Sequence, residues 1–220
     1  MLPLSPVTIV NVGYLSTNYW AVSAGRSRLL VDLGYPGTMG TMRANLKRMD
    51  VPLVEIRYAL ATHYHIDHAG LAEELKQAGV PLLVLETQVA AIPLMKRWTK
   101  PQDHYMEIML DDNVIIPFSE SRALLERIGI GGEILSTPGH SADSISLLLD
   151  DGAVFTGDLP PLEFAGEDEA GKKVIASWQL LREHGAQRIY PAHGPVRSMD
   201  THWKGFHARH SAAWEPPLQN

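Results

Sequence analysis

The chain has 220 residues, of which 45% are hydrophobic, and a formal net charge of −6. This size and apolar content are typical of one globular domain, and the lack of basic blocks argues against a nucleic-acid-binding surface. The sequence contains no cysteine, which excludes disulfides, thiolate metal ligands and a catalytic thiol. Residues 1–6 show no signal-peptide pattern, and no apolar run is long enough to span a membrane. We therefore expect a cytoplasmic protein with no membrane contact.

The first third of the chain alternates between strand and helix patterns. Short apolar, β-branched runs predict strands at 7–12, 17–23 and 28–31, and their close spacing predicts antiparallel hairpins. The sequence then predicts a helix at 38–48, a strand at 54–61, a helix at 70–79 that Gly79 ends, and a buried strand at 82–85. This alternation indicates a mixed sheet with helices on its outer face.

Between the strand at 54–61 and the helix at 70–79 lies a loop with four metal-binding side chains: His63, His65, Asp67 and His68. Imidazole nitrogens and carboxylate oxygens suit zinc and related divalent metals. In extended chain, residues two apart face the same side, so the first two histidines can serve one metal. The other two residues fall where the chain turns into the helix and can face a second metal. The alternative is a polar loop with surface histidines.

The sequence of the second half of the chain predicts a further series of strands and helices. We expect a helix at 120–128 capped by Ser119, a strand at 132–136, strands at 144–149 and 153–156, a helix at 172–185 and a strand at 188–190. The tripeptide Asp150-Asp151-Gly152 predicts a tight hairpin. That hairpin would bring His140 and Asp158 together in space. The acidic segment 163–169 is predicted to be a solvated loop.

The motif H-x-H-x-D-H resembles the signature of the metallo-β-lactamase superfamily. Three later fragments follow in the family's order: Thr137-Pro138-Gly139-His140-Ser141, Phe155-Thr156-Gly157-Asp158 and Tyr190-Pro191-Ala192-His193-Gly194-Pro195. The resemblance extends from about residue 7 to 196. It implies an α/β fold of the four-layer αββα type, with 1–220 as a single domain and 197–220 as a C-terminal tail. Fold alone does not determine the substrate.

The resemblance also implies a site for two divalent metal ions, with zinc expected and iron or manganese as alternatives. The first metal would be held by His63, His65 and His140, the second by Asp67, His68 and His193, and Asp158 would bridge both. A water shared by the two metals would be the nucleophile of a hydrolase. Asp67 would also be catalytic, because it can accept a hydrogen bond from that nucleophile and orient it.

The sequence differs from several known branches of the superfamily, and these differences reduce the number of reactions that we expect. True β-lactamases of this fold usually replace the equivalent of His68 or Asp158, and flavin-linked diiron proteins have a glutamate at the position of His65. The ligand set is similar to that of glyoxalase II and the lactonases. The glutathione-binding features of glyoxalase II are absent, which also weakens a mono-iron sulfur dioxygenase-like enzyme.

We therefore expect an enzyme that cleaves an ester, lactone or thioester of a small molecule. Three alternatives stay open: a small-molecule phosphodiesterase, the mono-iron dioxygenase, and a metal-binding protein without catalysis. The basic pair Lys96-Arg97 keeps the phosphodiesterase alternative open. The sequence does not predict the oligomeric state.

Three further features allow more than one interpretation. Asp32, before Gly34, is either a turn residue or a support for the metal loop, as the resemblance implies. Segment 87–117 either covers the substrate cleft or packs onto the core; its candidate apolar side chains are Met95, Trp98, Tyr105, Met106 and Met109. For His104 we expect a surface position rather than a ligand role. For the tail histidines His202, His207 and His210 we expect surface or interface positions, with the alternative that one of them lines the pocket.

Overall fold

Two β-sheets face each other at the centre of the computed structural model, which describes residues 6–203. The first sheet has six strands in the order β1 to β6; strands β1–β3 are antiparallel, and β3–β6 are parallel. Its strands are β1 (Thr8–Asn11), β2 (Trp20–Ala24), β3 (Ser27–Val31), β4 (Ile56–Leu60), β5 (Leu82–Leu85) and β6 (Val114–Ile116).

The second sheet has five strands in the order β11-β10-β9-β8-β7. Only β9 and β10 run parallel, and the other neighbours are antiparallel. Its strands are β7 (Gly132–Ser136), β8 (Ile145–Leu149), β9 (Ala153–Gly157), β10 (Arg188–Pro191) and β11 (Arg197–Ser198).

Helices cover the outer face of each sheet. The α-helices that begin and end within the described residues are α1 (Met39–Arg48), α2 (Ile66–Ala69), α3 (Ala72–Gln77), α4 (Ser121–Arg127) and α5 (Glu169–Glu183). Residues 199–203 are also helical. Short 3-10 helices occur at Leu53–Glu55, Glu86–Gln88, Ile92–Trp98, Pro101–Asp103, Phe118–Glu120 and Leu162–Phe164. Within residues 6–203, no helix combines the length and apolarity needed to cross a bilayer.

Strand alternation divides the buried side chains among three cores. On β3, Leu29 and Val31 join the core between the sheets, whereas Leu30 joins the core beneath α1 and α3. On β9, Phe155 faces the inner core and Val154 faces α5. Successive side chains of a strand point to opposite faces, so both sheets are buried on two sides. The predicted four-layer αββα fold is confirmed.

The main helices bury one apolar stripe each. Met42 and Leu46 of α1 are four residues apart, and Val174, Trp178 and Leu181 of α5 follow the i, i+4, i+7 pattern. This spacing places side chains on one helical face. The helix at 38–48 and the strands at 132–136, 144–149 and 153–156 agree with prediction within one residue.

Some predicted boundaries were wrong. The helix predicted at 70–79 is shorter, because α3 spans only Ala72–Gln77, and a separate short helix, α2, precedes it at Ile66–Ala69. Gly70 packs so tightly that an added Cβ would lie 2.6 Å from Gly34 O. Ser119 caps no helix; α4 begins at Ser121 after a 3-10 turn.

The acidic segment was also only partly a loop. Asp168 caps α5 by accepting a hydrogen bond from Gly171 N at 2.8 Å, so the helix starts at Glu169 rather than Lys172. Strand β6 was not predicted, because it is only three residues long inside an irregular segment.

Candidate metal centre

The loops at one edge of the two sheets carry all seven predicted metal ligands. They follow β4 (His63 and His65), form α2 (Asp67 and His68), or follow β7 (His140), β9 (Asp158) and β10 (His193). A hydrogen bond from Ile145 N to Thr62 O, 2.9 Å long, joins the two sheets at this edge. The site is thus built from both halves of the fold.

The candidate ligand atoms converge in three overlapping groups, each with all its atoms within 4.8 Å of one another. The groups are His63, His65 and His140; His63, His68 and Asp158; and Asp67, His68 and His193. The first and third groups are the two predicted ligand sets. The second group contains Asp158 with one member of each set, which is where a bridging carboxylate has to lie.

Several polar atoms at this point are buried without a hydrogen bond of good geometry: Nε2 of His63, Nε2 of His68 and Oδ1 of Asp158. His68 Nε2 lies 3.2 Å from Asp67 Oδ2 and 3.3 Å from Asp158 Oδ2, close enough for attraction but poorly aligned. Unpaired buried polar atoms are costly and rare. Their convergence, together with their all-nitrogen-and-oxygen chemistry, fits a site for divalent cations.

The electrostatics of the site favour positive charge between the carboxylates. Burial lowers the pKa of His68, but the charge of Asp32 and the close contacts with Asp158, Asp32 and Asp67 outweigh it, so this pKa lies well above its usual range. Burial raises the pKa of Asp67, but His68 outweighs that effect and lowers it to about 2. Both observations mean that the carboxylates remain ionised and stabilise a cation beside them.

The histidines of the first set have the opposite tendency. Burial holds the pKa of His63 well below its usual range, and the neighbouring histidines lower it further. Burial also lowers the pKa of His140, although Asp158 opposes the effect. Neutral imidazoles have a free lone pair, which is the form that binds a metal. His140 Nε2 and His65 Nδ1 lie 3.0 Å apart, so these two nitrogen atoms already approach the same point.

Asp32 supports the metal loop from behind. It is buried at φ 61°, and its Oδ1 accepts hydrogen bonds from Thr62 N at 2.8 Å and Thr62 Oγ1 at 2.9 Å. Its Oδ2 lies 3.1 Å from His68 Nδ1. Of the two interpretations of Asp32, the structure therefore supports the role in holding the loop. Gly157 is needed in the same region, because its φ is 54° and any Cβ would collide with Thr62.

The turn between β1 and β2 also contacts the site, which the sequence did not indicate. Ser16 O accepts a hydrogen bond from His193 Nδ1 at 2.7 Å, and Thr17 Oγ1 donates to Asp67 Oδ2 at 3.3 Å. Asn18 Nδ2 donates to Pro191 O and Gly194 O on either side of the histidine. This turn thus orients the last predicted ligand.

Two further supporting residues were missed. Asp143 Oδ2 accepts from Tyr64 N at 2.8 Å, and Gln88 Nε2 donates to Ala61 O and Asp143 O at 3.1 and 3.2 Å. Both side chains are buried. They clamp the loop that carries His63 and His65 to the loop after His140.

Segment 87–117 divides between the two interpretations left open for it. The Trp98 ring lies with its centroid 6.4 Å from that of His65 and is 66% exposed, so it borders the site. Met95 is buried in the core, and Tyr105 packs there with its hydroxyl 3.7 Å from Met95 Sδ. Met106 and Met109 are exposed. Lys96 forms an exposed ion pair with Glu107.

The histidines predicted to lie on the surface had mixed outcomes. His104 is exposed, as predicted. His202 is instead partly buried against Trp178, with ring centroids 4.2 Å apart, and it lines a pocket next to the metal site. His207 and His210 lie outside the described residues.

The sequence profile of the family described as the metallo-beta-lactamase superfamily matches residues 12–215. The chain belongs to this superfamily. It is 34% identical over 182 residues to the lactamase-like protein aptB of Emericella nidulans, covering 82% of this chain and 52% of aptB. It is 29% identical over 183 residues to the beta-lactamase-like protein 2 homolog of Caenorhabditis elegans, covering 82% and 56%. The chain thus spans about half the length of these curated relatives.

Solved structures show the same superfamily fold. One similar structure is that of TTHA1623 in a di-iron-bound form, with a TM-score of 0.67, 24% sequence identity and coverage of 92% of this chain and 98% of that one. At this level of identity, the likeness concerns the fold. The superfamily binds divalent metals, and the cluster described above provides this chain with suitable ligands.

Proposed function

We propose that this protein is a metal-dependent hydrolase that cleaves an ester, lactone or thioester of a small molecule. The observation that carries the proposal is the convergence of seven histidine and aspartate side chains in three overlapping groups. Three buried polar atoms among them lack a partner of good geometry. A degenerate, non-catalytic member of the superfamily would be expected to have lost some of these residues.

The residues fit two divalent cations, for which zinc is our choice and iron or manganese are alternatives. His63, His65 and His140 would hold one; Asp67, His68 and His193 would hold the other; Asp158 would contact both. When bound, such a pair supplies Lewis acidity and lowers the pKa of water to near neutrality. The di-iron form of a structural neighbour is the reason why the metal itself has to be measured.

The chain's own groups then position the reactants. Asp67 is the proposed catalytic residue, because its carboxylate is ionised and only partly buried, so a water molecule can reach it. Thr17 and His193 fix its Oδ2 by contacts of 3.3 Å each. Asp67 would accept a hydrogen bond from the attacking water and hold its lone pair towards the carbonyl carbon.

Substrate recognition is proposed to come from the walls of the site. Trp98 and Leu94 form an exposed apolar border beside His65, suited to the apolar portion of an acyl group. Lys96, one of the two basic residues that favoured a phosphodiester, is paired with Glu107. The carbonyl reaction is therefore preferred, and the net charge of −6 supports a small-molecule rather than a nucleic-acid substrate.

The test is a turnover screen combined with a metal count per chain. Protein loaded separately with zinc, iron or manganese is assayed with p-nitrophenyl acetate, acyl lactones, an acyl thioester and bis-p-nitrophenyl phosphate. We expect two metals per chain and hydrolysis of at least one carbonyl substrate. Preferential turnover of the phosphodiester would overturn the carbonyl assignment. One tightly bound iron with no second metal would indicate an oxygenase instead.

A further inference from the structure

A second cavity, of about 350 Å³, opens beside the metal site on the side of His140, Asp158 and His193. The remaining wall includes Pro160, Pro161, Trp178, Arg197 and His202. None of these residues lines the pockets at Trp98. The cavity therefore offers room for a part of the substrate that Trp98 does not contact, and its volume is within the range of small-molecule sites.

The apolar wall of this cavity is held firmly in place. Trp178 is buried, and its Nε1 donates a hydrogen bond of 2.8 Å to Pro160 O. The neighbouring Ser177 Oγ donates to Pro138 O at 2.7 Å, in the loop that leads to His140. Helix α5 thus fixes both the wall and one predicted metal ligand, so the cavity and the metal site keep a constant relative position.

His202 contributes a hydrogen-bond donor to this wall. Leu162 N donates to His202 Nε2 at 3.4 Å, which assigns the proton of the neutral ring to Nδ1. Burial and the charge of Arg197 lower the pKa of His202 to about 4, although Glu163 opposes them. The ring is therefore neutral near pH 7. Nδ1, which carries the proton, is the ring nitrogen that Leu162 leaves available for a further contact.

Arg197 adds a positive charge at the same cavity. A Cβ placed on Gly194 would lie 3.6 Å from Arg197 Nη2, so the guanidinium lies against the turn that follows His193. Arg197 is exposed on β11, and its charge and that of Glu163 act in opposite directions on the pKa of His202. A guanidinium presents several N–H donors in a planar fork that matches carboxylate and phosphate oxygens.

We propose that this cavity is a subsite for an anionic group of the substrate, a carboxylate or phosphate, which Arg197 pairs with and His202 Nδ1 contacts. The proposal rests on the proposed hydrolase function and narrows its substrate to an ester, lactone or thioester that also carries a negative charge. The apolar walls at Pro160, Pro161 and Trp178 would contact the carbon skeleton next to that charge.

The first test compares the rates at which the protein hydrolyses charged and neutral esters. The neutral substrate is p-nitrophenyl acetate; mono-p-nitrophenyl adipate carries a carboxylate on the acyl side, and 4-acetoxybenzoate carries one on the leaving group. Arg197→Gln should lower the ratio of kcat/KM for one charged ester to that for the neutral ester by about tenfold, chiefly through KM. Arg197→Lys, which keeps the charge but loses the fork, should restore part of the ratio.

Arg48→Gln is the matched control, because Arg48 ends α1 on the other sheet and lines no part of the cavity. It removes the same charge and should leave the ratio unchanged. A thermal melt of each variant shows whether it is folded. His202→Gln provides a second, uncharged change in the cavity and should reduce the same ratio by a smaller factor.

A binding measurement separates failure of the subsite from failure of the hydrolase. Titration calorimetry of the metal-loaded protein should show that Arg197→Gln weakens benzoate binding about tenfold and leaves benzamide binding unchanged. If the wild type hydrolyses no ester but benzoate binding depends on Arg197, the subsite is supported and the proposed hydrolase function is contradicted. If a neutral ester is hydrolysed, but Arg197→Gln changes neither the ratio of kcat/KM values nor the affinity for benzoate, the proposed subsite is wrong.

Discussion

Asp32 Oδ2 lies 3.1 Å from His68 Nδ1, while the other oxygen of the same carboxylate accepts from Thr62 N at 2.8 Å. One buried side chain therefore sets both the ring orientation of a predicted ligand and the start of the loop that carries the others. The partner of a ligating histidine fixes its tautomer and raises its basicity. With Nδ1 turned to Asp32, Nε2 of His68 faces Asp67 and Asp158 and is the atom that would bind a metal once the ring has lost its second proton.

Replacement of Asp32 by asparagine should weaken binding of one of the two metals about 10- to 100-fold. The amide would keep an acceptor for Thr62 but lose the charge that faces His68. Metal titration with a competing chelator measures the two affinities separately. Asp50→Asn is the control, because Asp50 also has a positive φ, of 53°, but is exposed and belongs to none of the ligand groups. Equal affinities for both variants would contradict the role of Asp32.

Asp158→Ala should lower turnover far more than it lowers fold stability. Asp158 lies 3.3 Å from both His68 Nε2 and His193 Nε2 and 3.7 Å from His140 Nε2, so it connects the two ligand sets. We expect a fall in kcat/KM of at least about 100-fold, or about 2.7 kcal/mol of barrier. The free energy of unfolding of the metal-free protein should change by less than about 2 kcal/mol.

The exposed residue Asp111 supplies a matched control for this loss of a carboxylate. Asp111→Ala removes the same group away from the ligand groups and should leave turnover and metal content unaltered. Metal analysis of Asp158→Ala should show fewer than two metals per chain at limiting metal. If the activity of Asp158→Ala stays within about tenfold of that of the wild type, Asp158 does not bridge the two metals.

The sequence predicted most of the strands and four of the seven clustered residues because these signals are local. Leu29 and Val31 alternate with Leu30 over three positions, and His63 to His68 lie within six. The other three candidates, His140, Asp158 and His193, came from the resemblance to the superfamily. The supporting contacts could not be predicted in this way. Ser16 O and His193 Nδ1 are 177 residues apart in the chain, and only the packing of the two sheets brings them together.

The same reasoning explains the mixed result for the irregular segment. Met95 and Trp98 lie three residues apart on one 3-10 helix, yet Met95 is 1% exposed and Trp98 is 66% exposed. The sequence identifies both side chains as apolar. Because the apolar residues of this segment follow no clear helical or strand period, the sequence does not show which of the two faces the core. The sequence could not tell which tail histidine lines the pocket for a related reason, since Trp178, the partner of His202, belongs to a different element.

Trp98 and Tyr105 should respond differently to replacement by alanine, because the structure separates their roles. Trp98→Ala should reduce kcat/KM for esters by a factor that grows with acyl length, with little change in Tm. Tyr105→Ala should cost about 1 to 3 kcal/mol of stability, because its ring packs against the core and Met95. Kinetics with acetyl, butyryl and octanoyl esters, with a melt of each variant, measure both effects. If Trp98→Ala lowers kcat/KM by the same factor for all acyl lengths, Trp98 does not form an apolar wall for the acyl group.

His202 should make the protein less stable in mild acid. Its pKa is lowered from 6.5 to about 4 in the folded protein by burial and by Arg197, with Glu163 opposing. Above pH 6.5 both folded and unfolded chains hold the neutral ring, so the group contributes no pH dependence. Between pH 6.5 and about 4 the unfolded chain binds the proton first, so stability falls as pH falls. Below about 4 the loss is complete.

The expected loss from this residue is about 1 to 2 kcal/mol, after allowance for its partial exposure to solvent. Denaturant unfolding at a series of pH values, for wild type and His202→Gln, isolates it, because the other titrating groups cancel in the difference. The difference should be constant above pH 6.5 and shift in favour of the variant down to pH 4. His104→Asn is the control: His104 is exposed with φ 53°, a conformation that asparagine tolerates. A wild-type curve parallel to that of His202→Gln across this range would show that His202 titrates normally, and its burial beside Trp178 would then have no effect on its protonation.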